Sequence, residues 1–313
     1  MNFKVSVIIP AYNAGTFIHK AVSSALEQPQ VREVLVIDDG STDQTKEVLK
    51  AIKNKKLRVL THENGVNKGR SVSRNLGLQK ATSEYIAFLD ADDYYLSHRF
   101  DKDEYVFKNN DCDGVYNAIG AFFYRKPGTL EKKNLDITTM KQVIAPENLG
   151  PVLVKGNQGR FSIIGLTIKA SIIQKTDLFN TALVVAEDTE WIWKAAFKAI
   201  LLSGNLSEPV AMRGVHDSNT FNQTKLYENY NFKLFKSLYR WSLKEAMSFE
   251  VIDLFLERIF ILHYRDKHSV FNHLLLWWEC MAVHYRVFFS YLALRYFPFI
   301  YRWKTLKSKI APH

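Results

Sequence analysis

The chain has 313 residues, of which 47% are hydrophobic and 24% charged, with a formal net charge of +10. This length and composition exclude a disordered chain and a small disulfide-stapled module, and they allow one large domain or two ordinary ones. The cysteines, Cys112 and Cys280, are too few for a disulfide framework or a cysteine-based zinc site, so a reducing cytoplasm is expected. No secretory signal is expected after Met1, because the basic head and apolar stretch of such a signal are missing there.

Strand and helix patterns alternate over the first part of the chain. Short apolar runs predict strands at 5–9, 33–37, 57–60 and 85–89. Helical spacing of apolar residues predicts helices between these strands, at 16–27, after Thr42 and at 71–78. This alternation predicts right-handed βαβ units, and therefore an α/β fold with a mostly parallel, Rossmann-like sheet flanked by helices.

The pattern after residue 100 is less regular. It predicts strands at 114–124 and 162–169 and an amphipathic helix at 189–200. The segment 125–159 mixes charged residues with Pro, Gly and Asn, so long loops with little local structure are expected there.

The C-terminal residues 219–313 are predicted to form a helical, aromatic and basic extension. From Arg258 onward there are nine Lys or Arg against Asp266 and Glu279, together with 14 of the 42 aromatic residues. Charged residues interrupt each apolar run before it reaches the ~20 residues of a membrane-spanning helix. Two interpretations stay open: helices lying on an anionic membrane surface, or a helical cap whose aromatic residues pack on the rest of the protein. No nucleic-acid partner is expected, because the extension lacks a known nucleic-acid-binding motif.

Polar clusters follow three of the predicted strands, at 10–13, 38–41 and 90–93. Ligands of open α/β sheets bind beyond the carboxyl ends of the strands, and turn formation alone is a poor explanation for three clusters at one edge. The Asp39 carboxylate could accept a hydrogen bond from a pyrimidine base, and Tyr12 offers a flat face to a base or ribose. Asp90 and Asp92 could direct their oxygens at one Mg²⁺ or Mn²⁺ ion. The chain lacks a Walker lysine loop and a G-x-G-x-x-G motif after the first strand, which argues against P-loop hydrolases and nicotinamide dehydrogenases.

Four sequence blocks, in the order 5–13, 36–43, 67–75 and 88–93, resemble the family 2 inverting glycosyltransferases. The resemblance covers residues 4 to about 100 closely and continues loosely to about 219. It implies a GT-A type catalytic domain at 1–218, with a nucleotide-binding half at about 1–100 and an acceptor half at about 101–218, followed by the extension at 219–313. It also implies metal-dependent transfer, with Mn²⁺ or Mg²⁺, from a nucleotide-sugar donor, taken as UDP-linked, to a hydroxyl of a glycan or lipid-linked glycan.

The resemblance assigns roles to individual residues of the nucleotide-binding half. Asp39 would bind uracil, Asp92 would bind the metal, and Asp90 would face the ribose or the metal. Asp93 would contact the donor sugar. The remaining nucleotide-binding residues implied by the resemblance are Pro10, Ala11, Tyr12, Asn13, Lys68, Gly69, Arg70 and Ala91.

The acceptor half contains the predicted catalytic base. Inverting transfer needs one carboxylate that deprotonates the acceptor hydroxyl, while a metal stabilises the departing diphosphate. The pair Glu187-Asp188 resembles the family's E-D motif, which makes Asp188 the base and lets Glu187 orient the acceptor; a helix cap or a surface charge are the simpler explanations. His216 is implied as a metal ligand. Trp191 could stack on an acceptor sugar, although a buried helix face would also explain it.

The leading hypothesis is therefore a glycosyltransferase of surface polysaccharide synthesis, bound peripherally to the inner face of the cell membrane. A sugar-nucleotide pyrophosphorylase is the first alternative, but it would need a glycine-rich loop with a basic residue where this chain has 11–15. A catalytically inactive, glycosyltransferase-like binding protein is the second, and the intact Asp39, Asp90, Asp92 and Asp188 argue against it.

Overall fold

The computed structural model describes residues 3–219, 224–265 and 269–300. The chain divides into two compact units, Met1–Thr224 and Lys225–His313, here called the N-terminal unit and the C-terminal unit. The sequence pattern places the domain boundary after residue 218.

The N-terminal unit contains eleven strands in its described residues. In chain order they are β1 (Val5–Ala11), β2 (Val31–Asp38), β3 (Leu57–Thr61), β4 (Tyr85–Phe88), β5 (Tyr94–Tyr95), β6 (Gly114–Tyr116), β7 (Ile119–Phe123), β8 (Ile137–Thr138), β9 (Leu166–Lys169), β10 (Leu201–Ser203) and β11 (Ala211–Val215). Its α-helices are α1 (Ile18–Leu26), α2 (Thr45–Ala51), α3 (Arg70–Lys80), α4 (Asp101–Asn109), α5 (Thr129–Leu135), α6 (Pro146–Lys155), α7 (Ile173–Thr176) and α8 (Glu187–Lys198).

Seven strands form the main sheet, in the order β10-β6-β9-β4-β1-β2-β3. Strand β9 runs antiparallel to both of its neighbours, and the other pairs are parallel, so the predicted mostly parallel sheet is confirmed. Every residue of β1 and β4 is buried, which explains why these strands are continuous apolar runs rather than alternating ones. Helix α3 packs closely on β1, because a Cβ at Gly77 would overlap the Ile8 side chain.

A second, four-stranded sheet has the order β5-β11-β7-β8. The predicted single strand at 114–124 is therefore wrong, since β6 belongs to the main sheet and β7 to this one. The chain changes sheets at the buried Asn117, whose Nδ2 donates to Asp103 Oδ1 (2.8 Å) and whose Oδ1 accepts from Asn205 N (2.7 Å). These contacts join distant parts of the chain, and the local apolar pattern carries no sign of them.

The segment 125–159 is not the structureless loop that its composition predicts. It contains α5, β8 and α6. Pro146 is the first residue of α6, and Gly156 ends this helix in a left-handed conformation with φ 73°. Proline and glycine are common at these two positions, so here they mark the ends of a helix instead of a loop. The strand predicted at 162–169 is also shorter than expected, since a 3₁₀ turn at Ile163–Gly165 precedes β9.

The described part of the C-terminal unit is helical, as predicted. Its helices are α9 (Thr224–Lys244), which begins one residue before the unit, α10 (Phe249–Arg265), α11 (Val270–Met281), α12 (Tyr285–Phe288) and α13 (Tyr291–Arg295). Several of its aromatic side chains form a core, in which the Phe260 and Tyr296 rings stack at 4.7 Å. None of the helices in the described ranges is long and apolar enough to cross a membrane.

Candidate active site

Three loops meet at one edge of the main sheet, because β4, β1 and β2 are adjacent parallel strands and their carboxyl ends point the same way. The loop after β1 is bonded to the loop after β2. Asn13 Oδ1 accepts from Thr42 N (2.8 Å), and Asn13 N donates to Ser41 Oγ (3.0 Å). The Asn13 side chain therefore positions the loop, while Tyr12 next to it is 51% exposed. Pro10 and Ala11 are buried within β1, so they could border a ligand only through backbone atoms.

Asp39 connects the loop after β2 to the N-terminus of α3. Its buried carboxylate accepts from the backbone amides of Lys68 (2.6 Å, at Oδ1) and Gly69 (2.8 Å, at Oδ2). The buried His62 lies beside it, with Nε2 at 3.3 Å from Asp39 Oδ1. Gly69 has φ 88°, a conformation that residues with a Cβ rarely adopt. The structure thus brings Asp39, Lys68 and Gly69 together, as the resemblance implies, and the Lys68 side chain points to solvent.

Arg74 of α3 connects two carboxylates at this edge. The arginine is fully buried, and it donates through Nη2 to Asp90 Oδ1 (2.7 Å) and through Nη1 to Glu187 Oε1 (2.7 Å). Arg70, one turn earlier, adds a contact from Nε to Glu187 Oε1 (3.3 Å). The loop after β4 and the start of α8 are therefore held to the same helix.

The pKa values of two carboxyl groups in this cluster shift in opposite directions. Burial raises the pKa of Glu187, and the Asp188 carboxylate adds to this effect while Arg74 opposes it. For Asp90, burial acts in the same direction, but the Arg74 and Arg70 guanidiniums outweigh it and hold the pKa below its usual value. The expectation that Glu187 orients an acceptor needs correction, because its buried carboxylate faces the two arginines.

Asp188 lies in the first turn of α8 and is half-buried. It is not the N-cap, since that position is taken by Ala186, which has a left-handed backbone with φ 62°. Asp188 Oδ1 accepts from Thr189 N (2.7 Å). Asp188 is therefore not the N-cap residue, but its carboxylate still accepts a backbone amide of the first turn. The left-handed backbone before it is of a kind that is common at functional sites.

Trp191 needs a correction as well. It is completely buried on the inner face of α8, where its ring stacks on Phe179 at 5.2 Å and its Nε1–H donates to Asp177 O (3.1 Å). Such a ring is not available to an acceptor sugar, so the helix-face explanation is the correct one.

Asp92 and His216 lie side by side, with His216 Nε2 at 3.0 Å from Asp92 Oδ2. Asn219 Nδ2 donates to the same oxygen (2.9 Å). The imidazole also stacks on Phe17, with ring centroids 4.5 Å apart. Strand β11 ends directly before His216 and so places the imidazole next to the loop after β4. A carboxylate and an imidazole that lie side by side are suitable ligands for Mn²⁺. No cluster of three possible metal ligands occurs among the described residues.

Asp93 and Ala91 are buried next to this pair. Asp93 Oδ1 accepts from Gly214 N (2.8 Å), which connects the loop after β4 to β11. Burial raises the pKa of Asp93 well above its usual value, and the Asp92 and Asp90 carboxylates add to the shift. The expected contact between Asp93 and a donor sugar is therefore not supported by its position.

Sequence reasoning missed three residues of this site. Arg74 was visible only as one letter of the block 67–75, and nothing local shows that it is buried between two carboxylates. Asn219 and His62 lie beside Asp92 and Asp39 through contacts across long stretches of chain. The sequence offers one local signal for Arg74: it lies four residues before Leu78, on the same face of the predicted helix as this apolar residue.

Comparisons with known proteins agree with this geometry. The family model described as "Glycosyl transferase family 2" matches residues 6–164. The putative teichuronic acid biosynthesis glycosyltransferase TuaG of Bacillus subtilis is 35% identical over 146 residues, which cover 46% of this chain and 54% of that protein. UDP-Glc:alpha-D-GlcNAc-diphosphoundecaprenol beta-1,3-glucosyltransferase WfaP of Escherichia coli is 42% identical over 94 residues, which cover 30% of this chain and 37% of that protein. Both matches span less than two thirds of the relative's own length.

A solved structure has the same fold. The crystal structure of S. aureus TarS 1-349 in complex with UDP-GlcNAc superposes with a TM-score of 0.62 at 22% identity, covering 82% of this chain and 72% of that chain. The predicted GT-A type α/β fold is thereby confirmed.

Proposed function

This chain belongs to glycosyl transferase family 2, and we propose that it transfers a sugar, with inversion and with the help of a metal ion, from a UDP-linked donor to a hydroxyl of a lipid-linked glycan. One observation carries the proposal. Arg74 joins Asp90, at the end of β4, to Glu187, the immediate neighbour of Asp188, so the donor-side and acceptor-side carboxylates converge at one sheet edge.

The nucleoside would bind between Tyr12 and Asp39. Tyr12 offers an exposed ring for stacking, and Asp39 offers carboxylate lone pairs beyond those used by the two backbone amides. A uracil imide N–H is a donor that such an oxygen accepts. The names of two similar proteins, a UDP-glucose-dependent transferase and a UDP-GlcNAc complex, support a UDP-linked donor.

Asp92 and His216 would hold the metal, either Mn²⁺ or Mg²⁺. Their donor set leaves coordination positions for water and diphosphate oxygens, which is the arrangement that these ions favour. The bound cation supplies positive charge that stabilises the departing diphosphate. Phe17 keeps the imidazole oriented towards Asp92 by stacking on it.

Asp188 would be the base. In the transfer, the acceptor oxygen bonds to the anomeric carbon, the bond from that carbon to the diphosphate oxygen breaks, and the hydroxyl proton moves to Asp188. A half-buried carboxylate at a helix N-terminus is accessible to an acceptor and is held in place by the Thr189 amide. Because a metal-bound diphosphate leaves without a proton, this one carboxylate is sufficient.

The names of two similar proteins support a lipid-linked acceptor. One acts on a diphosphoundecaprenol-linked sugar and another is assigned to teichuronic acid synthesis. We therefore assign this chain to cell-surface polysaccharide synthesis on a lipid-linked acceptor.

Two variants test the metal site and the base separately. Calorimetric titration of UDP, GDP and dTDP, with and without Mn²⁺, should show metal-dependent binding of UDP that Asp92→Asn loses. Asp188→Asn should bind UDP normally and lose about 10²–10⁴-fold in transfer to diphosphate-lipid-linked sugars, the usual contribution of a general base. The exposed Asp111→Asn is the matched control and should change neither measurement.

Two results would contradict the proposal. Unchanged UDP affinity of Asp92→Asn in Mn²⁺ would remove Asp92 from the metal site. Full turnover of Asp188→Asn would show that another group is the base.

A further inference from the structure

Helix α11 is apolar on two opposite faces. Its inward face, which includes Leu276 and Cys280, is buried in the C-terminal unit. Phe271, Leu275 and Trp278 follow each other at helical spacing along another face, and they are exposed, Phe271 by 67% and Trp278 by 58%. A surface helix of a globular protein needs only one apolar face, so the second is unexplained by the packing of this unit.

The exposed face continues onto the segments that follow α11. The ring centroids of Trp278 and Phe288 are 5.9 Å apart, and those of Phe288 and Phe289 are 5.1 Å apart. Phe289 is 83% exposed. We call the exposed residues Phe271, Leu275, Trp278 and Phe289 the aromatic face.

The charged residues of the segment that carries the aromatic face are almost all positive; one of them, Arg295, is paired with Asp253 and Glu257 of α10. Residues 269–313 contain six Lys or Arg and one acidic residue, Glu279. That carboxylate is paired with Lys236, Nζ to Oε1 at 2.5 Å. Arg286 is exposed on α12, between Trp278 and Phe289 in the chain. Four further cations, Arg302, Lys304, Lys307 and Lys309, follow in the sequence after Ile300.

We propose that the C-terminal unit binds the surface of an anionic lipid bilayer through the aromatic face. Phenylalanine, tryptophan and leucine side chains insert at the boundary between headgroups and acyl chains, while neighbouring Lys and Arg interact with lipid phosphates. A second copy of this chain fits less well, because it would bring the same positive charge to the interface. The binding goes beyond the proposed function, since it needs neither a sugar donor nor an acceptor.

Co-sedimentation of the full chain with vesicles tests this proposal. The protein should bind vesicles that contain phosphatidylglycerol, and bind pure phosphatidylcholine at least tenfold more weakly. The double variant Trp278→Ser/Phe289→Ser should reduce binding to the anionic vesicles at least tenfold. The matched control is Leu130→Ser/Val143→Ser, which changes two residues of the N-terminal unit that are 71% and 72% exposed, and it should bind like the wild type.

Further measurements separate a loss of vesicle binding from a loss of folding. Circular dichroism must show that both variants are folded, and the replacement of Trp278 alone by Phe should retain binding, since the face stays aromatic. Equal binding by the wild type and the double variant would overturn the proposal. So would a wild type that ignores anionic vesicles but forms a dimer, by light scattering, that the double variant lacks. Metal-dependent UDP binding, measured on the same samples, separates these outcomes from a failure of the proposed function.

Discussion

Two arginines of the N-terminal unit, Arg74 and Arg99, are completely buried, yet they serve different regions. Arg99 donates through Nη1 to Asp103 Oδ2 (2.7 Å) and through Nη2 to Thr167 Oγ1 (3.3 Å). Asp103 accepts in addition from Asn117 Nδ2 (2.8 Å). This cluster joins α4, β9 and the turn between the two sheets, and its charged groups are enclosed by protein.

The Arg74 cluster has the same chemistry but an open side. Its partner Asp90 keeps 30% of its side chain exposed, and its partner Glu187 is next to the half-buried Asp188. A buried ion pair is expensive to form from hydrated ions, so it contributes little net stability unless its geometry is good. The comparison shows that one such cluster can join the two sheets of the fold, while the other joins the loop after β4 to the start of α8.

The largest expected effect is a loss of stability when the cluster around Arg99 is broken. Asp103→Ala leaves Arg99 buried without its carboxylate, which should lower the free energy of unfolding by about 3–5 kcal/mol. Chemical denaturation followed by circular dichroism measures this loss. UDP binding per folded molecule should stay at the wild-type level, and a loss of binding from the folded fraction would remove the distinction between the two clusters.

A matched pair of substitutions compares the two arginines directly. Lysine keeps the positive charge but is a point charge without the planar fork that reaches two partners. Arg74→Lys should therefore reduce transfer by about 10–100-fold, which is ~1.4–2.7 kcal/mol of activation free energy. Arg99→Lys should lower stability while its folded fraction keeps the wild-type turnover. Equal losses of turnover in both variants would show that Arg74 has no special role in positioning.

The smallest expected effect concerns pH. The folded-state pKa of Glu187 is raised above its ordinary value of 4.5, so the folded protein holds this proton more tightly than the unfolded chain. Its contribution to stability is therefore fully present below about pH 4.5 and is lost as the pH rises through the folded-state pKa. As the pH rises through this range, the free energy of unfolding of the wild type should fall relative to that of Glu187→Gln. Denaturation curves of both proteins at several pH values measure this difference. An increase of the wild-type value relative to the variant with rising pH would contradict the prediction.

The main strands and the four motif blocks could be predicted from the sequence. The apolar runs of β1, β2 and β4 are local patterns, and Asp39, Asp90 and Asp92 follow them at the ends where ligands of such sheets bind. The fold class and the family were predictable for the same reason. The structure of the segment 125–159 could not be predicted in this way. Proline and glycine are common both in loops and at the two ends of a helix, and here Pro146 and Gly156 lie at the ends of α6.

The residue types at the strand ends and the succession of the elements can be predicted from the sequence, because both depend on neighbours along the chain. The roles of several of these side chains depend on the tertiary structure. Arg74 pairs with Glu187 across 113 positions, and Asp93 accepts from Gly214 across 121. Such contacts depend on the folded path of the chain, and this is why Glu187, Trp191 and Asp93 turned out to be buried supporting residues.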